Sequence, residues 1–175
     1  MHKNLIKFVT LVGIGVSLLG AGSVTAHASK YYEGHFDSKR ITYHIDSTSK
    51  HYRKILKSAV NDWNDQGVIK LVNTNKKSKA DIRMTTAATV KHNWPGFCHI
   101  DTFDGDYMNA RIKMNRKYFD ENHLTDEQRT SLSEVEIGLT LGLKGNNRNN
   151  SIMGNFNHIT SFDRANLKAA YKGVK

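Results

Sequence analysis

The stretch SEVEIGLTLGLKGNNRNNSIM, Ser133 to Met153, decides how the chain is read. At about 100° per residue, Leu132, Val135, Leu139 and Leu143 fall within roughly one quadrant of a helix. Ile137 and Leu141 lie on the opposite side. A surface helix needs only one apolar stripe, so two stripes predict burial on both sides. The expectation is a sheet under one stripe and the C-terminal segment over the other. Glu136 sits at the edge of the first stripe, where burial is costly without a donor. It is therefore expected to be partly exposed in a shallow cleft, or hydrogen-bonded.

The start and stop of this helix are also legible. Thr125-Asp126-Glu127-Gln128 is a capping box, in which a Thr hydroxyl takes a free backbone N–H and a Gln reaches back. The helix is predicted to run through Leu143, with Gly145 as its C-cap glycine and Asn146 to Asn150 ending it. Before it, ARIKMN (Ala110 to Asn115) alternates apolar and polar as a strand does. After it, Thr160-Ser161-Phe162-Asp163 caps a last helix predicted to reach Lys172.

Further upstream, RITYHID (Arg40 to Asp46) is a half-buried strand, with Ile41, Tyr43 and Ile45 on one face. Ser47 to Ser49 offer N-cap hydroxyls to a helix carrying Tyr52, Ile55, Leu56, Ala59 and Trp63, and Gly67 stops it. Val68 to Asn73 and Ala80 to Thr85 are further strands. Thr86 to Tyr107 reads as a long loop with one short edge strand between Phe97 and Phe103, and loops of that length are functional or mobile. The expected class is α/β or α+β, with a small mixed twisted sheet and two long helices.

The ends and the composition bound the rest. MHKNLIK, a short apolar run and Ala26-His27-Ala28 have the order of a secretory signal over residues 1–28, leaving one domain over 29–175, outside the cytoplasm. The apolar run is short and Gly-rich for a span of about 30 Å, which disfavours a membrane anchor. Cys98 is the one cysteine, so no intrachain disulfide forms, and the thiol is either a small buried apolar group or a reactive one. From Ser29 onward the net charge is +8. Such a charge favours anionic partners such as cell-wall material, as well as simple solubility. No interleaving of aromatic and basic residues marks a nucleic-acid module.

The strand ARIKMN, the segment VEIGLTLGLKG and the following SIM resemble the metzincin metalloproteases, most closely the small secreted matrixin-like bacterial ones. Their signature is H-E-x-x-H-x-x-G-x-x-H followed by a Met-turn. Laid on this chain, the ligand positions fall on Val135, Leu139 and Gly145, the catalytic glutamate on Glu136, the bend glycine on Gly142 and the Met-turn methionine on Met153. The glutamate, glycine and methionine match, while all three histidines are replaced. The resemblance thus implies a metzincin-like fold with an active-site-type helix, a Met-turn and a C-terminal helix. In such sites two histidines one turn apart reach one Zn²⁺, which lowers the pKa of its bound water from 15.7 to about 7. Val, Leu and Gly supply no lone pair, so no zinc is expected and Glu136 would be a remnant base.

Three functions stay in view: a secreted zinc-free pseudoprotease binding peptides, proteins or anionic cell-surface material, an active zinc metalloendopeptidase with an altered ligand set, and an unrelated basic extracellular binding protein. His92 and His99 could converge with Asp104 or Asp106 on a structural ion, or be ordinary loop and surface residues.

Overall fold

The computed structural model describes residues 31–175, so the expected signal over 1–28 lies outside the described residues. Five strands form one mixed sheet: β1 (Arg40–Ile45), β2 (Lys70–Asn73), β3 (Ile82–Ala87), β4 (Gly96–Phe103) and β5 (Asp106–Asn115). Their spatial order is β2-β1-β3-β5-β4. The first four in that order run parallel, and β4 alone is antiparallel, at an edge. Parallel neighbours need crossover connections. The helix α1 (Lys50–Asp65) supplies the one between β1 and β2.

Alternation decides which face each strand buries. Ile41 and Tyr43 of β1, Ile82 and Met84 of β3, and Ala110, Ile112 and Met114 of β5 are all buried. Against that face pack α1, through Ile55, Leu56, Ala59, Val60 and Trp63, and the helix α3 (Asp126–Thr140). Trp63, fully buried, donates its indole N–H to the Glu134 carbonyl at 2.9 Å and so ties α1 to α3. The helix α4 (Ser161–Ala170) follows the turn at Ser151 to Gly154.

Three expectations change. The long loop of Thr86 to Tyr107 is mostly a hairpin, because β4 and β5 are joined by Asp104-Gly105 alone. Both turn residues have positive φ, 51° and 89°, which a two-residue hairpin turn of the type Asp-Gly favours. β5 accordingly starts at Asp106 rather than Ala110. A short helix, α2 (Arg116–Glu121), is the second difference; Asn115 caps it, its side chain accepting from Tyr118 N at 3.2 Å.

The third change concerns the stretch that opened the reading. α3 ends at Thr140, one turn short of Leu143. Gly142 takes φ 93°, and Leu143 N bonds Gly138 O at 3.0 Å while Gly142 N bonds Leu139 O at 3.1 Å. That pair is the Schellman stop. Gly142, not Gly145, is therefore the terminating glycine. The space is also needed, because a Cβ on Gly142 would lie 2.4 Å from Gly34 O. The chain before β1 crosses there, with Tyr32 bridging Leu143 and Glu33 N donating to Gly142 O at 2.7 Å.

Candidate functional site

From Leu132 to Gly138 seven consecutive residues of α3 are buried, as two apolar stripes require. The covering partners differ from the expectation. α3 lies against α1 as well as against β4 and β5, and the turn at Met153 also reaches it. Met153 fits because Gly138 has no side chain: a Cβ there would stand 2.5 Å from the Met153 sulfur and 2.9 Å from the Trp63 ring. The helix glycine that accommodates Met153 is thus Gly138, a residue the sequence pattern did not single out.

Val135 is 8% exposed, Leu139 is partly buried and Gly145 is partly exposed, past the end of the helix. Glu136 is 8% exposed, so it is not the partly exposed cleft residue expected. Its carboxyl sits under the start of β4, where a Cβ on Gly96 would come within 2.7 Å of Oε1. Burial pushes this carboxyl up to about 8, and the Cys98 thiol beside it, as a hydrogen-bond donor, pulls the other way. Oε2 has no partner. The expected hydrogen bond is therefore half present. Cys98 in turn is pushed well above the usual thiol range, first by burial and then by the Glu136 charge. This is the environment of an inert thiol, since reactive cysteines have lowered pKa values.

Glu134, two residues earlier, faces the other way and is 5% exposed. Burial first, then a shared hydrogen bond and charge repulsion with Asp62, raise it well above the usual carboxylate range. The turn at Ser151 to Gly154 is built differently. Asp163 of α4, 1% exposed, accepts from the Ser151 hydroxyl and from Ile152 N at 2.9 Å. The same carboxylate accepts from Thr160 N at 2.9 Å and Thr160 Oγ1 at 2.8 Å. Asp163 was legible as part of a cap; its hold on the methionine turn was not.

The donor set does not fit zinc. Val135, Leu139 and Gly145 have no side-chain lone pair, and among the described residues no group of three His, Cys, Asp or Glu side chains is placed to hold an ion. The loop histidines go elsewhere: His92 stacks on Trp94 with centroids 5.0 Å apart, and His99 lies 2.7 Å from Asp101. Asp104 and Asp106 flank the hairpin tip instead. What remains is a buried, largely neutral carboxyl beneath an eight-residue edge strand. Such a group can donate or accept a hydrogen bond.

No family model matches the chain, and no curated protein does. Among solved structures, the chain is similar to myroilysin, a metalloprotease, with a TM-score of 0.45 and 13% identity. The alignment covers 65% of this chain and spans about half, 52%, of that one.

Proposed function

We propose that the chain is a secreted, zinc-free relative of the matrixin-like metallopeptidases that binds an extended peptide or protein segment instead of cleaving it, and is retained at anionic surfaces by its charge. The observation that carries this is the state of the former site: Glu136 is buried against Cys98 while Val135, Leu139 and Gly145 present no ligand atom. At neutral pH a carboxyl raised to about 8 is mostly protonated, and the first cause is its burial.

Binding has a ready surface. β4 is an edge strand, eight residues long, and one side of it has no strand neighbour among the described residues. An extended segment can add to such an edge through main-chain hydrogen bonds. No helix among the described residues is long and apolar enough to cross a membrane.

Metal content and casein cleavage of the purified protein, with and without chelator, test the reading. The expected result is no stoichiometric zinc and no chelator-sensitive cleavage. Zinc at one equivalent with chelator-sensitive cleavage would establish the active-peptidase alternative. The triple variant Val135→His, Leu139→His, Gly145→His tests the ancestry. A folded variant that fails to take up zinc would count against the metzincin assignment itself.

A further inference from the structure

Two cavities of opposite sign flank the segment Ser38–Arg40, which leads into and opens β1. On one side Asp37, Asp81, Asp104 and Asp106 line a pocket together with Arg40. On the other side lies an open groove of about 570 Å³, walled by Gly67 to Lys70 and Asn64. Lys39, Arg40, Lys70 and Lys175 line it, and no Asp or Glu side chain does.

The backbone fixes this arrangement. Lys70 N donates to Lys39 O at 2.7 Å, and Lys39 N donates to Lys175 O at 3.0 Å. Arg40 and Lys70 are register partners on neighbouring parallel strands, so their Cα atoms lie about 4.8 Å apart. Like charges directly opposite one another in a sheet are destabilising. Lys39, Arg40 and Lys70 have no salt bridge among the described residues, although the acidic pocket lies next door. An anion placed against these side chains would relieve that repulsion.

The lining also narrows the chemistry. It holds no aromatic ring on which a base could stack, which argues against a nucleic acid. Its apolar part, Val68 and Ile69, is partly or fully buried, so no large apolar side chain projects for insertion into a bilayer. Ser38 lies between the two cavities, and its hydroxyl accepts from Arg40 N at 3.0 Å while keeping its own proton to donate.

We propose that the groove binds a linear phosphodiester-linked polyol, its phosphates against Lys39, Arg40 and Lys70. This rests on the anionic-surface half of the proposed function and gives it an address remote from Glu136. The acidic pocket across the Ser38–Arg40 segment repels the same polymer and confines it to the β2 side.

Calorimetric titration of the purified protein with poly(glycerol phosphate) over a range of salt concentrations tests this. Lys39→Gln, Arg40→Gln, Lys70→Gln together are expected to raise Kd at least tenfold. The slope of log Kd against log salt should fall by about one unit per cation removed. The control removes equal charge elsewhere, with Lys76→Gln, Lys79→Gln, Lys91→Gln, and should change Kd by less than about threefold. Equal losses from both triples would overturn the groove in favour of diffuse net charge. Duplex DNA bound as tightly as the polymer would overturn the ligand class. Lys70→Gln alone, at an exposed position, is a second variant whose melting curve should stay unchanged while Kd rises. An unaltered protein that ignores the polymer would overturn both the groove and the anionic half of the proposed function. It would leave peptide binding at β4 untouched.

Discussion

Two buried carboxyls, Asp163 and Glu136, are excluded from water to nearly the same degree, 1% and 8% exposed. They are treated in opposite ways. Asp163 accepts from two hydroxyls and two backbone N–H groups and pins the turn that carries Met153 to α4. Glu136 has one thiol beside it and an oxygen with no partner at all. Native proteins leave few buried polar atoms unsatisfied, so each exception needs a reason. Satisfaction at Asp163 marks a structural part. The shortfall at Glu136, shared by Glu134, whose Oε2 is also without a partner, marks carboxyls that burial disfavours in their charged form.

The largest expected effect breaks the comparison at its satisfied end. Asp163→Ala removes the acceptor of four donors in a dry site and should cost about 3–5 kcal/mol, read by urea denaturation. A loss below about 1 kcal/mol would mean that the two carboxyls are alike after all.

The next tests the unsatisfied end and has the opposite sign. Glu136 titrates near 4.5 when unfolded and is raised to about 8 in the fold. Between those values the folded state holds more protons, so its stability falls as pH rises from about 4.5 towards 8. Glu136→Gln should therefore stabilise the protein at pH 8 by about 2–4 kcal/mol and flatten the decline, with little change at pH 4.5. Glu134, also raised, leaves a residual slope that Glu134→Gln should reduce further. A Glu136→Gln protein that is less stable than its parent at pH 8 would remove the argument for an ill-satisfied carboxyl.

Gly138→Ala sharpens the packing side of the comparison. Its Cβ would meet the Met153 sulfur at 2.5 Å, and the flexible methionine can give way only partly because Trp63 is 2.9 Å off. A cost of about 1–2 kcal/mol by thermal or chemical denaturation is expected. The smallest effect is that of Cys98→Ala. Removing the thiol takes away the group that holds Glu136 down, so the carboxyl should titrate still higher, at a cost of about 1 kcal/mol or less near neutral pH. A carboxyl-labelled NMR titration measures it; a fall in the Glu136 pKa would contradict the contact.

Much of this framework is legible in the sequence. The alternation of Arg40 to Ile45 and of Ala110 to Asn115 placed two strands, and the side-chain bonds of Thr125 and Gln128 in both directions confirm the capping box. The hairpin is hard to read from the sequence because Asp104-Gly105, a strong turn signal, sits inside a stretch whose other residues do not alternate cleanly. The end of α3 is ambiguous in the sequence because two glycines, Gly142 and Gly145, compete for the role. Only the crossing of Gly34 over Gly142 decides between them.

By itself the sequence determined the local structure and the side-chain chemistry available at each position. Caps, alternation and glycine stops act over a few residues, and the lack of a lone pair at Val135, Leu139 and Gly145 is a property of the side chains alone. Tertiary structure alone decided how the buried polar residues are housed. Glu136 meets Cys98, 38 positions away, because β4 pairs antiparallel with β5 and lies against α3. Asp163 secures the methionine turn because α4 packs beside it, and Lys39, Arg40 and Lys70 share a groove because β1 and β2 run side by side. Desolvation and charge repulsion depend on what is near in space, and a one-dimensional pattern does not carry that distance.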